Sequence, residues 1–207
     1  MASDMNRRKF LRYAAASAGA VTIVPRHVLG GAGYVAPSEK LTVANIGCGT
    51  QGLTEMVQLL AAPQVQVVAV CDPNKDSSDY VEWGTDSVRS TIAAGLGRPD
   101  WRKGAGRVPG GRDVGKEVVE LYYSDKTPSG GFHGCASYAD YRELLEKEKD
   151  IDAVKVMTPD HLHAIVSIAA MRKGKHVVLH KPLANRVREA RLVIETALSE
   201  RRKNLNE

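Results

Sequence analysis

The stretch Leu41-Thr-Val-Ala-Asn-Ile-Gly-Cys-Gly-Thr-Gln-Gly52 decides the fold. Its first six residues are a short, β-branched, apolar run, the mark of a buried strand. The strand leads without a spacer into Gly47, Gly49 and Gly52, a G-x-G-x-x-G turn with Thr50 and Gln51 between its last two glycines. Leu53, Met56, Val57, Leu59 and Leu60 then recur at helical spacing. Val65 to Cys71 reads as a second buried strand, and it ends at Asp72, 20 residues beyond Gly52. Three glycines alone say little. Set between a strand and a helix, with an acid at that distance, they form a dinucleotide-binding fingerprint.

Each residue has a physical task in that reading. Gly47 permits the tight turn, Gly49 presents no side chain to an approaching pyrophosphate, and Gly52 lets helix and strand pack closely. The helix N-terminus offers N–H groups to the phosphates. Asp72 accepts from the adenosine ribose hydroxyls and repels a 2′-phosphate, which favours NAD; Lys75 nearby leaves NADP possible.

Strand and helix continue to alternate. Ser137 to Leu145 reads as a turn and helix, Ile151 to Met157 as a strand, and His161 to Arg172 as a helix stopped at Gly174. Lys175 to Leu179 reads as a further strand and Val187 to Leu198 as a last helix. This alternation predicts an α/β fold with a doubly wound parallel sheet of Rossmann type. Ligands bind at the carboxyl ends of the strands in such sheets, so the glycine turn, Asp72, Thr158-Pro159 and His180-Lys181 are expected around one crevice.

Gly47-Cys-Gly-Thr-Gln-Gly52, Asp72, Thr158-Pro-Asp-His-Leu-His163, Gly174-Lys-His-Val-Val178 and Lys181-Pro-Leu-Ala184 together resemble the N-terminal half of the Gfo/Idh/MocA oxidoreductases. The resemblance implies NAD(P)-dependent chemistry on a small-molecule sugar or sugar-like alcohol. It implies that Thr158, Pro159 and His163 line the nicotinamide ribose side. It also implies that Lys181 reaches the nicotinamide and the substrate hydroxyl in catalysis. The family usually carries Glu before its Lys-Pro; here the residue is His180, a candidate proton relay or a space-filling neighbour of the cofactor. The resemblance further implies a mostly antiparallel substrate domain that is absent from this chain, so the isolated chain is expected to be inactive and to self-associate as a homo-oligomer. An NAD-dependent glycosidase using transient oxidation, and a non-catalytic nucleotide-binding fragment, are the alternatives.

The 207 residues carry a formal charge of +5. Residues 1–36 hold five basic residues and one acid, so the excess belongs mainly to the N-terminus and not to a basic nucleic-acid-binding face. Arg7-Arg8-Lys9-Phe10-Leu11, followed by an Ala-rich apolar stretch, is similar to a twin-arginine export signal and predicts a periplasmic protein. No apolar run is long enough for a membrane span. Cys48, Cys71 and Cys135 show neither disulfide-framework nor metal-ligand spacing. The predicted organisation is a leader over 1–36 and a dinucleotide-binding domain over 37–207. That domain carries an insertion at about 73–135, whose basic piece from Gly95 to Lys116 is expected to be a solvated loop.

Overall fold

The structure is a computed structural model that describes residues 39–82, 84–126 and 132–204. The basic and Ala-rich stretch read as an export leader lies outside the described residues. No helix among the described residues is long and apolar enough to cross a membrane.

Five parallel strands form the sheet. They are β1 (Leu41–Ile46), β2 (Val65–Cys71), β5 (Ala136–Tyr138), β6 (Ala153–Val156) and β7 (His176–Leu179), in the spatial order β5-β2-β1-β6-β7. The first two coincide with the strands expected from the sequence. β1 runs from exposed Leu41 to fully buried Ile46. The chain leaves β1 toward β2 on one side and returns to β6 on the other. The C-terminal ends of β1 and β6 therefore bound a topological switch point, where loops diverge and leave a crevice.

Each face of the sheet is covered by helices. On one face α1 (Thr50–Ala61), α2 (Ser87–Leu96) and α3 (Arg112–Ser124) enclose Leu53, Met56, Val67, Val70, Ile92, Val114 and Val118. On the other, α4 (Tyr141–Lys147) and α5 (His163–Arg172) enclose Ala44, Ile46, Leu144, Val154, Val156 and Val166. A last helix, α6 (Val187–Asn204), packs on α5.

Two sequence expectations change. The stretch read as a turn and helix begins with β5, which pairs in parallel with the end of β2 before Asp140 caps α4 by accepting from the Arg142 N–H at 2.8 Å. Three residues are too few for a strand period to show. The second change concerns the basic piece. It is exposed over most of 97–107, as expected, but it is anchored to α3 and carries β4 (Val108–Gly110), which pairs antiparallel with β3 (Ser77–Tyr80). Trp101 is buried and donates to Glu117 at 2.9 Å. The charges that suggested solvation are paired: Arg98 meets Asp125 at 2.6 Å and Arg102 meets Glu117 at 2.5 Å. Helix α3 itself is the crossover from β2 to β5, and its residue Gly115 lies against the Cys48 sulfur.

Candidate functional site

Buried Asn45 ends β1 by donating from Nδ2 to the Gly47 carbonyl at 2.9 Å, which fixes the departure of the glycine turn. Gly47 has φ +104, and a Cβ there would collide with the Met157 carbonyl across the switch point. A Cβ on Gly52 would collide with the Gly47 carbonyl. The tight-turn and close-packing tasks are thus visible as absent space.

Helix α1 starts with Gly49 as N-cap, no side-chain cap and no acid in its first turn. Its leading N–H groups and the positive end of its dipole remain available to an anion. The Thr50 hydroxyl is engaged elsewhere, donating to the Val81 carbonyl at 2.6 Å, and Gln51 donates to Glu55 at 2.9 Å. The bare face of Gly49 is not fully open: a Cβ built there would lie 3.0 Å from the ring of Tyr80.

Asp72 is 6% exposed. Its Oδ2 accepts from the Cys48 N–H at 2.8 Å and its Oδ1 from the Asn74 N–H at 2.9 Å, so it clamps the glycine turn to the end of β2. Tyr80 Oη also donates to Oδ1, at 3.3 Å, and accepts from Asn74 Nδ2 at 2.8 Å. Burial, with the Asp72 carboxylate adding to it, pushes the Tyr80 phenol up and keeps it a donor. The Cys48 thiol is pushed well up by burial and by the same charge, and the Cys71 thiol rises to about 12, so both are inert packing residues.

A cleft of about 810 Å³ is lined by Gly47, Gly49, Thr50, Gln51, Gly52, Asp72, Tyr80, Thr158 and Pro159 among others. Most of the residues expected to hold a cofactor meet there. The Thr158 Oγ sits at its wall, buried and without a hydrogen-bond partner among the described residues, where a ligand would satisfy it. The empty glycine positions, the uncapped helix end and this hydroxyl fit a dinucleotide.

His163, His180 and Lys181 are not among the lining residues. His163 is 1% exposed, behind the wall. Its Nδ1 lies 2.6 Å from the Pro182 carbonyl and its Nε2 2.8 Å from that of Thr158. It therefore ties the loop after β6 to the loop after β7. The Lys181–Pro182 peptide is cis, and Lys181 is exposed. His180 Nε2 stands 3.3 Å from Glu55 Oε1, while Glu55 Oε2 meets Lys155 Nζ at 2.7 Å. Burial pushes the Glu55 carboxyl up, but the hydrogen bonds from Lys155 and Gln51 outweigh it and hold the group below its ordinary value. An acid from α1 thus stands beside His180. Sequence reading missed Glu55, and it missed Tyr80 for the same reason: both act through contacts between elements far apart in the chain.

Fold and site define a dinucleotide-binding Rossmann domain. Residues 110–205 match the model described as the Gfo/Idh/MocA oxidoreductase family, NAD-binding Rossmann fold. An alpha-N-acetylgalactosaminidase of Shewanella oneidensis is 27% identical over 209 residues, covering 94% of this chain and 37% of that protein. A 1,5-anhydro-D-fructose reductase of Ensifer adhaerens is 34% identical over 118 residues, covering 56% of this chain and 32% of that one. Among solved structures, the WlbA dehydrogenase of Bordetella pertussis, in complex with NADH and UDP-GlcNAcA, is similar at a TM-score of 0.49 and 16% identity, covering 78% of this chain and 35% of that chain. The chain thus spans about a third of the length of these relatives.

Proposed function

We propose that this chain forms the cofactor-binding part of an NAD-dependent oxidoreductase that moves hydride between a nicotinamide and the hydroxyl-bearing carbon of a sugar or sugar-like alcohol. The observation that carries this reading is the uncapped N-terminus of α1 beside the Asp72 clamp at the switch point. NAD, when bound, supplies the hydride acceptor or donor. The protein's own residues do the rest. Gly47 to Gly52 and the α1 terminus hold the pyrophosphate, Asp72 holds the adenosine ribose, and Thr158 and Pro159 wall the nicotinamide end. Lys181, held on the loop that His163 ties to Thr158, orients the substrate oxygen from the open side. His180, braced by Glu55, is placed to pass a proton. The sugar class is supported by the sugar-directed names of the relatives. The basic leader fits an exported protein that takes up its cofactor before export.

A second reading is favoured by the alpha-N-acetylgalactosaminidase that matches 94% of this chain. In it NAD is recycled within one turnover, a cycle suited to a compartment without a cofactor pool. One experiment separates the two: protein from the whole coding region is assayed on a sugar panel with NAD and on aryl glycosides without added NAD. Net NADH formation supports the oxidoreductase. Chromophore release with no net NADH supports the glycosidase. Neither activity, together with no NAD binding by calorimetry, refutes both.

A further inference from the structure

We infer that Tyr80 is a cofactor-selecting residue, which with Asp72 holds the two free hydroxyls of the adenosine ribose and so excludes a 2′-phosphate. This rests on NAD as the cofactor, but not on the substrate or the reaction.

The argument begins with acceptor capacity. An ionised carboxylate offers roughly four acceptor positions. Asp72 already uses three on its own chain: the Cys48 N–H, the Asn74 N–H and the Tyr80 O–H. It keeps room for a single further donor, whereas a ribose diol brings two. The second hydroxyl needs another acceptor beside Asp72. Tyr80 Oη provides it. A hydroxyl has two acceptor lone pairs, and that of Tyr80 spends one on Asn74 Nδ2 and its proton on Asp72, which leaves one lone pair. A 2′-phosphate has only acceptors to offer, and it would face the Asp72 charge and the Tyr80 lone pair together.

The tyrosine is also built into place. Its ring lies in a slot made by two glycines on different elements: a Cβ on Gly110 would collide with it, and one on Gly49 would come within 3.0 Å. The antiparallel pair of β3 and β4 carries it there, anchored by Thr50 to Val81 and by the Gly111 N–H, which donates to the Cys48 carbonyl at 2.8 Å. This gives the segment between Asp72 and α3 a purpose that a surface loop would lack.

The test uses the 207-residue chain and its Tyr80→Phe variant, which keeps the ring and removes only the oxygen. Calorimetry measures the affinity of each for NAD, for NAD with a 2′-deoxy or a 3′-deoxy adenosine ribose, and for NADP. The variant should bind NAD about fivefold more weakly, the size of one neutral hydrogen bond. For one of the two deoxy analogues, the one lacking the hydroxyl that Tyr80 accepts, the variant and the parent should agree within about twofold. The parent should bind NADP more weakly than NAD. An equal loss on NAD and on both analogues would mean that the phenol only supports the fold of the turn, and would overturn the inference. Unchanged or tighter NAD binding by Tyr80→Phe would overturn it too, since the phenol would then be a bystander or a competitor at Asp72. Absence of NAD binding by the parent would refute the cofactor reading itself.

Discussion

Replacing Asp72 by alanine tests a dual role, because the same carboxylate that faces a ribose also closes the glycine turn. The Cys48 N–H that it holds belongs to a residue with no solvent exposure. Losing a hydrogen bond from that buried donor to a charged acceptor costs about 1.5–3 kcal/mol. The Asn74 N–H belongs to an exposed residue and turns to water, adding about 0.5–1 kcal/mol. The sum is a loss of about 2–4 kcal/mol, and in a domain of this size that lowers Tm by about 4–16 °C. The assay is a thermal melt by circular dichroism, with and without saturating NAD. The parent should gain Tm from NAD, whereas the variant should start lower and gain less. Asp72→Asn keeps one acceptor oxygen, which serves either Asn74 and Tyr80, with an amide turned toward the Cys48 N–H, or Cys48, with the amide turned toward the Asn74 N–H, so it should melt below the parent as well. An Asp72→Ala variant melting within about 2 °C of the parent would refute the clamp, whatever its affinity for NAD.

Gly52→Ala should cost about 1–3 kcal/mol and abolish NAD binding, since the added methyl displaces the Gly47 carbonyl and with it the turn; normal binding by calorimetry would count against the close-packing role. Arg7→Lys with Arg8→Lys should leave the protein in the cytoplasm with its melting curve unchanged, and fractionation showing normal export would remove the twin-arginine reading. Asp152 accepts from the Thr42 N–H at 2.7 Å and from its hydroxyl at 2.9 Å, and these bonds hold its carboxyl below the ordinary 3.8. A folded-state value below the unfolded one adds stability above pH 3.8 that is lost as pH falls through the folded value. Asp152→Asn should therefore unfold at lower urea than the parent near neutral pH, with the gap narrowing as pH falls below 3.8; a gap that does not change with pH would show that the charge contributes nothing.

Local chemistry made part of this architecture legible. The strands Leu41–Ile46 and Val65–Cys71 are mostly apolar runs, and Gly52 is required for a reason internal to a dozen residues, its closeness to the Gly47 carbonyl. The acid at position 72 follows from that spacing. What stayed hidden depends on partners distant in sequence. Strand β5 is three residues long, and its identity comes from pairing with β2. The pairing of β3 with β4 stayed hidden because Tyr80 finds its slot only when Gly49 and Gly110 come together in space. The acidic neighbour of His180 stayed hidden because Glu55 sits on a helix 125 positions earlier. The resemblance points to His163 as lining the cofactor, while its burial depends on how the loop after β7 folds over it.

That last placement has a consequence for anyone wishing to alter what this protein accepts. One buried imidazole stands between the carbonyls of Thr158 and Pro182, so the Thr158 wall of the crevice and the loop after β7 are mechanically one part. Their separation is set by the width of a ring and not by the slack of two loops. Redesign of either segment alone would strain the other through His163. The exchangeable cassette is the pair of loops with its histidine, moved together.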